Sequence, residues 1–227
     1  MHAEATDKQG GDRKNKRRTA ATLGPCHWCM TLKMFNEASN EILSGVRDSV
    51  KGTDPAEVEK MIEILINSLD KRILIVGTGR SSLVGRAFAM RLMHLGFHVY
   101  VLGETITPSI RKGDIVVAVS GSGSTVLPVA SARIAKKMGA EILAVTSNPR
   151  SPLGRLADHI VQVKAKYRPA REKDFFVRQL LGEHESLSPL GTMFELSAGI
   201  FLDCVIAELM SRLRETEGDL EKRHATI

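Results

Sequence analysis

The sequence predicts an α/β protein, a three-layer α-β-α sandwich around a five-stranded parallel sheet. Three observations predict it. Short β-branched runs alternate with longer stretches of helical periodicity. The runs are apolar over nearly their whole length, as in strands that helices cover on both faces. Loops rich in glycine and serine follow two of the runs. A length of 227 residues suffices for one such domain with an appendage.

The candidate strands are separated by segments long enough to hold the crossover helices that parallel strands need. Helical stretches occupy residues 83–95 and 125–138, and Gly139 ends the second of them, as glycine commonly does. The runs that we expect to form the sheet are residues 73–76, 98–102, 115–119, 142–145 and 160–163.

Two helical stretches precede the first strand, and a long apolar helix over residues 192–213 follows the last. Asp54 and Pro55 mark the start of the second stretch, because Asp accepts hydrogen bonds from free helix-start amides and Pro suits the first turn. These helices carry more apolar surface than one sheet can cover, so we expect self-association. Residues 30–227 are predicted to form one domain with N-terminal helices and a C-terminal helical segment.

A polar span over residues 164–188 separates the fifth strand from the long helix. Its length exceeds that of a plain connection. Residues 169–188 are therefore interpreted either as a lid over a site or as a disordered insert.

The chain begins with a polar arm, residues 1–29, which we expect to be flexible. Much of the formal net charge of +6 lies in residues 13–18 of this arm. Clustered cations bind nucleic acids, but no helix-turn-helix, zinc-finger or RNA-recognition pattern accompanies them. No apolar run reaches the ~20 residues that span a bilayer, and the N-terminus has no apolar signal segment. We expect a cytoplasmic protein that binds neither nucleic acid nor membrane.

The cysteines predict neither a disulfide framework nor a complete metal site. Cys26 and Cys29 have the spacing of half a zinc site or a redox pair, but a closed zinc site needs four ligands, and only His27 lies close by in the sequence. The purpose of this pair stays open, and we expect no metal and no cofactor. Cys204, within the long apolar helix, is interpreted as a small buried hydrophobe.

Two glycine-serine loops follow the first and third strands, at the edge where doubly wound sheets bind ligands. They are residues 77–82 and 120–125. Glycines let the backbone approach an anion, while hydroxyls and helix-start amides donate hydrogen bonds to it. A phosphate held by Ser120, Ser122 and Thr125 would use the helix dipole without needing a lysine.

Other interpretations of these loops remain. The first loop is similar to a dinucleotide fingerprint, but Ser82 stands in place of the third glycine. The second loop lacks the lysine of a nucleotide-binding P-loop. Its hydroxyls could simply cap the following helix, although the unbroken run over 120–125 exceeds what one cap requires.

The order strand, GTGRSS, helix, strand, GETITP, strand, SGSGST, helix resembles the sugar isomerase (SIS) domain family. More specifically, it resembles the 6-phospho-3-hexuloisomerases of archaea and methylotrophs. The resemblance covers residues 31–227. The matching segments are residues 77–80, 85–96, 103–108, 120–125, 191–195 and 222–224.

The resemblance implies a flavodoxin-like strand order, a homotetramer with sites between subunits, and an isomerase without a cofactor. The implied reaction converts D-arabino-3-hexulose 6-phosphate to fructose 6-phosphate through a cis-enediol, a step of the ribulose monophosphate pathway. Within the same family, the alternatives are an isomerase of arabinose 5-phosphate or heptose phosphate. A non-catalytic sugar-phosphate-binding regulator is a further alternative, but such regulators carry a helix-turn-helix segment before the domain.

The resemblance also implies roles for individual residues. Glu195 is the expected base, because a desolvated carboxylate suits removal of a carbon-bound proton; its alternative role is to complement the helix N-terminus. His224 is expected to move a proton between the sugar oxygens, reaching a neighbouring subunit's site, with His184 as its rival. Arg80 could pair with phosphate or with Glu104. The residues expected to bind substrate are Gly79, Arg80, Ser81, Glu104, Ser120, Ser122 and Thr125.

Overall fold

A computed structural model of the chain describes residues 32–165 and 191–224. The chain divides into two units, residues 1–36 and 37–227. Of the first unit the structure describes residues 32–36, where the first helix begins. The predicted boundary at residue 29 and the span 169–188 lie outside the described residues.

Strands and helices alternate through the central part of the chain. The first two helices precede the sheet and the last two follow it. The elements are α1 (Lys33–Lys51), α2 (Pro55–Ile66), β1 (Arg72–Val76), α3 (Arg80–His94), β2 (His98–Val101), β3 (Ile115–Val119), α4 (Val126–Lys137), β4 (Glu141–Thr146), α5 (Pro152–Leu156), β5 (His159–Gln162), α6 (Thr192–Leu213) and α7 (Glu217–Arg223).

The five strands form one parallel sheet in the order β2-β1-β3-β4-β5. This is the flavodoxin-like order, and the chain reverses its direction of winding between β1 and β3. Alternate strand residues face two separate apolar cores. Helices α2, α3 and α6 close one core, and α4 and α5 close the other. The predicted three-layer sandwich is confirmed.

Local sequence accounts for several helix ends. The side chain of Asp54 accepts a hydrogen bond of 2.8 Å from the amide of Ala56, and Pro55 opens α2. Gly139 follows α4 with φ of 84°. Helix α3 begins at Arg80, earlier than the predicted residue 83, because the Ser82 amide bonds back to the carbonyl of Gly79 and closes a first turn.

The predicted burial of Cys204 is wrong, since this residue is exposed. Helix α6 is mostly apolar, and its exposed face also carries apolar side chains, so periodicity gives only a weak indication of the buried face. Leu196 and Ile200, which are 43% and 48% exposed, lie on the same helix. No helix of the described ranges has the length and apolarity to cross a bilayer.

Candidate active site

A cavity of about 480 Å³ lies at the carboxyl ends of β1, β3 and β4, beside the N-terminus of α6. This is the edge at which doubly wound sheets bind ligands. Hydroxyl groups dominate its polar lining, and Glu195 is the one carboxylate or cation among the lining residues that the structure describes. These are Thr78, Ser81, Val119, Ser120, Gly121, Ser122, Thr125, Ser147, Asn148, Ala165, Gly191, Met193, Phe194 and Glu195.

The loop over residues 120–125 is held in place by its own hydrogen bonds and by the residues after β4. The buried Ser120 hydroxyl accepts a hydrogen bond of 3.2 Å from the amide of Gly123. The carbonyl of Gly121 accepts hydrogen bonds from the hydroxyls of Ser147, at 2.7 Å, and Thr146, at 3.2 Å. These contacts hold the backbone of the loop at the carboxyl ends of β3 and β4.

Thr125 precedes the first residue of α4, but its side chain accepts no capping hydrogen bond from the helix. Its hydroxyl instead lies 3.5 Å from that of Ser120. The exposed Ser122 hydroxyl accepts from the amide of Ser124 at 3.2 Å. A capping role for Thr125 is therefore not observed, and both Ser122 and Thr125 line the cavity.

Two glycines bring the N-terminus of α6 to this loop. A Cβ built on Gly121 would lie 2.9 Å from the Phe194 ring, so that ring packs directly on the loop. Gly191 precedes α6 with φ of 88°, a conformation that favours glycine. A Cβ at Gly191 would lie 2.9 Å from both carboxylate oxygens of Glu195, which folds back over it. The carboxylate and the hydroxyl loop consequently share one cavity.

Arg80 and Glu195 form an ion pair at the edge of the cavity. Nη2 of Arg80 lies 3.0 Å from Oε2 of Glu195 and donates to Oγ1 of Thr192 at 3.1 Å. The Glu195 side chain is 16% exposed and that of Arg80 50% exposed. Burial raises the pKa of Glu195, and the charge of Arg80 opposes that effect in part. A carboxylate of raised pKa is a suitable acceptor for a carbon-bound proton.

Arg80 does not pair with Glu104. Glu104 accepts a hydrogen bond of 2.8 Å from Nη1 of Arg86, and neither residue lines the cavity. Arg80 and Arg86 lie on different sides of α3, because six residues along a helix correspond to about one and two-thirds turns. Gly79, at φ of 58°, precedes Arg80 and has no heavy atom within 4 Å of its Cβ position. Ser81 lines the cavity as expected.

His224 lies far from the Glu195 of its own chain. Its ring centroid is 5.0 Å from that of His94, the last residue of α3. Arg80 is the first residue of that helix, whose 15 residues span about 20 Å. His224 is therefore not among the residues that line the cavity of the same chain. His184 lies outside the described residues.

His94 is buried beside three cationic or potentially cationic groups. Burial lowers the pKa of His94, and the proximity of His224 and Arg91 lowers it further. Arg223 donates to the His94 carbonyl at 2.8 Å and pairs with Glu215. These contacts attach the C-terminal helix α7 to the end of α3.

Ser147 and Asn148 line the cavity but were not predicted from the sequence. Both follow β4, so the rule that ligands bind beyond the carboxyl ends of strands could have found them. The side-chain amide of Asn148 offers both donors and an acceptor to a polyhydroxylated ligand. Within the described ranges, no group of three or more His, Cys, Asp or Glu side chains could hold a metal ion.

The chain is similar to proteins of known family. The SIS domain model matches residues 67–169. An uncharacterized protein of Aeropyrum pernix is 47% identical, over 83% of this chain and 90% of its own length. The 3-hexulose-6-phosphate isomerase of Mycobacterium gastri is 38% identical, over 86% of this chain and 94% of its own length.

The chain is also similar in sequence and fold to a protein of known crystal structure. This structure is that of a Methanococcus jannaschii protein for which the function of 3-hexulose-6-phosphate isomerase has been inferred. The sequence identity is 35% and the TM-score 0.66, and the match covers 85% of this chain and 98% of the other. The chain belongs to the SIS-domain family that includes the 3-hexulose-6-phosphate isomerases.

Proposed function

We propose that this protein interconverts D-arabino-3-hexulose 6-phosphate and fructose 6-phosphate. The observation that carries the proposal is the placement of Glu195 in the same cavity as the hydroxyl loop over residues 120–125. A volume of about 480 Å³ falls in the range of small-molecule sites. A carboxylate of raised pKa beside an anion-binding loop supports proton transfer on a phosphorylated sugar. Several relatives are named 3-hexulose-6-phosphate isomerase, which agrees with this substrate.

The loop would bind the phosphate group. Ser120, Ser122 and Thr125 line the cavity, and Thr125 directly precedes α4. The positive end of the α4 dipole therefore lies next to the cavity. Thr125 leaves those amides without a side-chain cap, so a phosphate oxygen can take that place. Ser81, which lines the cavity in the first turn of α3, would contact the sugar, and Gly79 would position the backbone of the loop that precedes this helix.

Glu195 would act on the carbon skeleton. Starting from the 3-ketose, its carboxylate takes the proton from C2, and the carbonyl oxygen on C3 gains a proton, which gives the cis-enediol. The hydroxyl on C2 then loses its proton and becomes the carbonyl oxygen, while Glu195 returns a proton to C3. The net result moves the carbonyl from C3 to C2 with no change in oxidation state of the whole molecule.

The proton that moves between the two oxygens needs a second group. We assign it to His224 of a neighbouring subunit, because His224 lies at the opposite end of α3 from the Glu195 of its own chain. A homotetramer with sites between subunits would satisfy this geometry. Exposed apolar side chains, such as Leu83 at 64% and Val126 at 82%, support self-association.

Residues 30–227 would form the catalytic domain, with residues 1–29 as a basic arm outside it. The reaction would take place in the cytoplasm as part of the ribulose monophosphate pathway. An isomerase of another sugar phosphate and a non-catalytic sugar-phosphate sensor are the competing functions.

The full-length protein incubated with fructose 6-phosphate in D₂O distinguishes these functions. A 3-hexulose isomerase produces the 3-keto isomer with deuterium at C2. The fructose 6-phosphate recovered after the reverse step carries deuterium at C3, because that is the carbon deprotonated in the forward step. An aldose–ketose isomerase would introduce deuterium at C1. Binding without exchange at either carbon would identify a sensor. Deuterium at C3 supports the proposal. Deuterium at C1, or no exchange at either carbon with or without binding, overturns it.

A further inference from the structure

We infer that Arg80 is a positioning residue, which fixes the charge and orientation of the Glu195 carboxylate and does not bind the phosphate of the substrate. The inference rests on the proposed role of Glu195 as the base. It goes beyond that role, because it names the group that keeps this carboxylate ready to accept a proton.

The contacts of Arg80 join two elements that are distant in the sequence. The same nitrogen, Nη2, donates to Thr192 Oγ1 at 3.1 Å and lies 3.0 Å from Glu195 Oε2. Thr192 is buried and is the first residue of α6. Glu195 lies one turn later, so Arg80 contacts both ends of the first turn of that helix. Gly191 supports the carboxylate from the other side.

Among the described residues, Arg80 is also the cation that faces Glu195. The described residues of the 120–125 loop and of the segment after β4 bring no ionisable side chain to the cavity. Lys164 precedes the lining residue Ala165, but its own side chain is exposed and is not part of the lining. On α3 the next cation after Arg80 is Arg86, and that residue pairs with Glu104.

The Glu195 carboxylate depends on this cation. Its Oε2 atom is buried and accepts no hydrogen bond from any described residue, so the nearby charge of Arg80 compensates for lost solvation. Burial raises the pKa of Glu195 and Arg80 lowers it. Without Arg80, a larger fraction of Glu195 would be protonated at neutral pH and unable to accept a proton from carbon.

The phosphate site does not need Arg80. The 120–125 loop is already held by Thr146 and Ser147. Arg80 does not line the cavity, although its neighbour Ser81 does. Phosphate binding by the 120–125 loop and positioning of Glu195 by Arg80 therefore depend on different residues. Substitution of Arg80 can separate the two experimentally.

The test compares Arg80→Gln and Arg80→Lys with wild-type protein. Titration of Glu195 is followed by ¹³C NMR in full-length protein labelled at the glutamate side-chain carboxyls, and the signal is assigned by its loss in Glu195→Gln. We expect the midpoint to move to higher pH in Arg80→Gln and to stay close to wild type in Arg80→Lys, which keeps the charge. Arg86→Gln is the matched control and should leave the midpoint unchanged. This readout requires no turnover, so it stands apart from a failure of the proposed isomerase activity.

Kinetics provide the second readout. In Arg80→Gln, we expect kcat to fall by up to about 100-fold at neutral pH, because the Glu195 carboxylate is less well oriented and less often ionised. The loss should be partly recovered as the pH rises and Glu195 ionises. The KM for substrate and the inhibition constant for inorganic phosphate should change little. An unchanged titration midpoint in Arg80→Gln overturns the inference. A second outcome would also overturn the inference: KM rises, inhibition by phosphate weakens, and the acid limb of the pH profile of kcat does not move. That outcome would assign Arg80 to the phosphate.

Discussion

The aromatic ring of Phe194 lies directly on Gly121, so close that a Cβ at Gly121 would stand 2.9 Å from two ring carbons. This contact joins the hydroxyl loop after β3 to the first turn of α6. Glu195 follows Phe194 in the chain, so the packing of one ring on one glycine sets the distance between the proposed phosphate site and the proposed base.

Gly121→Ala should separate these two parts of the site. The added methyl group must displace the Phe194 ring, and we expect kcat/KM to fall about 100-fold from misplacement of Glu195. Overpacking should also lower the free energy of unfolding by about 1–3 kcal/mol. Steady-state kinetics and urea denaturation measure the two effects.

Gly199→Ala is the control for that experiment. Gly199 lies inside α6, and no heavy atom stands within 4 Å of its Cβ position. Alanine there should increase stability by about 0.5–1 kcal/mol and leave kcat/KM unchanged. If Gly121→Ala behaves like Gly199→Ala, the contact with Phe194 does not set the geometry of the site.

Ser122→Ala should weaken phosphate binding more than it slows turnover. Loss of a hydrogen bond to a charged group costs about 1.5–3 kcal/mol, which corresponds to roughly a 10- to 100-fold rise in KM. Ser124→Ala is the matched control, because Ser124 neighbours Ser122 but does not line the cavity. A change in kcat with KM and phosphate inhibition unaltered would remove Ser122 from the phosphate site.

Glu195→Gln should change the pH dependence of stability. Burial raises the pKa of Glu195 in the folded protein, so folding favours its protonated form. Wild-type protein therefore loses stability as the pH rises from the unfolded to the folded pKa, and the cost is complete above both. We expect Glu195→Gln to be more stable than wild type at neutral pH, with the difference vanishing in acid below both pKa values. Thermal unfolding across pH measures this; a variant less stable at neutral pH contradicts it.

The proposed role of His224 in proton transfer is best tested by a point substitution. Removing the chain from Arg223 onward would also remove the contacts of Arg223 with His94 and Glu215. His224→Ala leaves those contacts in place and should lower kcat by about 10²–10⁴-fold if the imidazole transfers a proton.

Mixed oligomers test whether the site is shared. We expect co-expressed His224→Ala and Glu195→Gln chains, purified together by two different tags, to regain activity. In a symmetric oligomer about a quarter of the sites would receive an intact residue from each chain. Two inactive variants that stay inactive when mixed would place His224 outside the neighbour's site.

The sheet and the hydroxyl loop were predictable because their signals are local. Strands buried on both faces are apolar along their length, which identifies β1, β3 and β4 without tertiary information. The segment from Ser120 to Thr125 follows such a strand directly. Its position at the carboxyl edge of the sheet then follows from the parallel arrangement.

The partner of Arg80 was not predictable in the same way. Glu104 and Glu195 are both acidic residues near the carboxyl edge of the sheet, and the sequence does not say which of them meets Arg80. In the structure, Arg80 and Arg86 lie on different sides of α3. Arg86 therefore pairs with Glu104, and Arg80 pairs with Glu195 on α6. Cys204 was misplaced for a related reason, since α6 is mostly apolar and its exposed face also carries Leu196 and Ile200.

The exchange of carbon-bound hydrogen in Glu195→Gln tests the role of this carboxylate most directly. Fructose 6-phosphate in D₂O is incubated with wild-type and variant protein, and binding is measured in parallel by calorimetry. We predict that wild-type protein introduces deuterium at C3, while Glu195→Gln binds the sugar phosphate with similar affinity and exchanges at least about 100-fold more slowly. Exchange at the wild-type rate in Glu195→Gln would contradict the assignment of this carboxylate as the base.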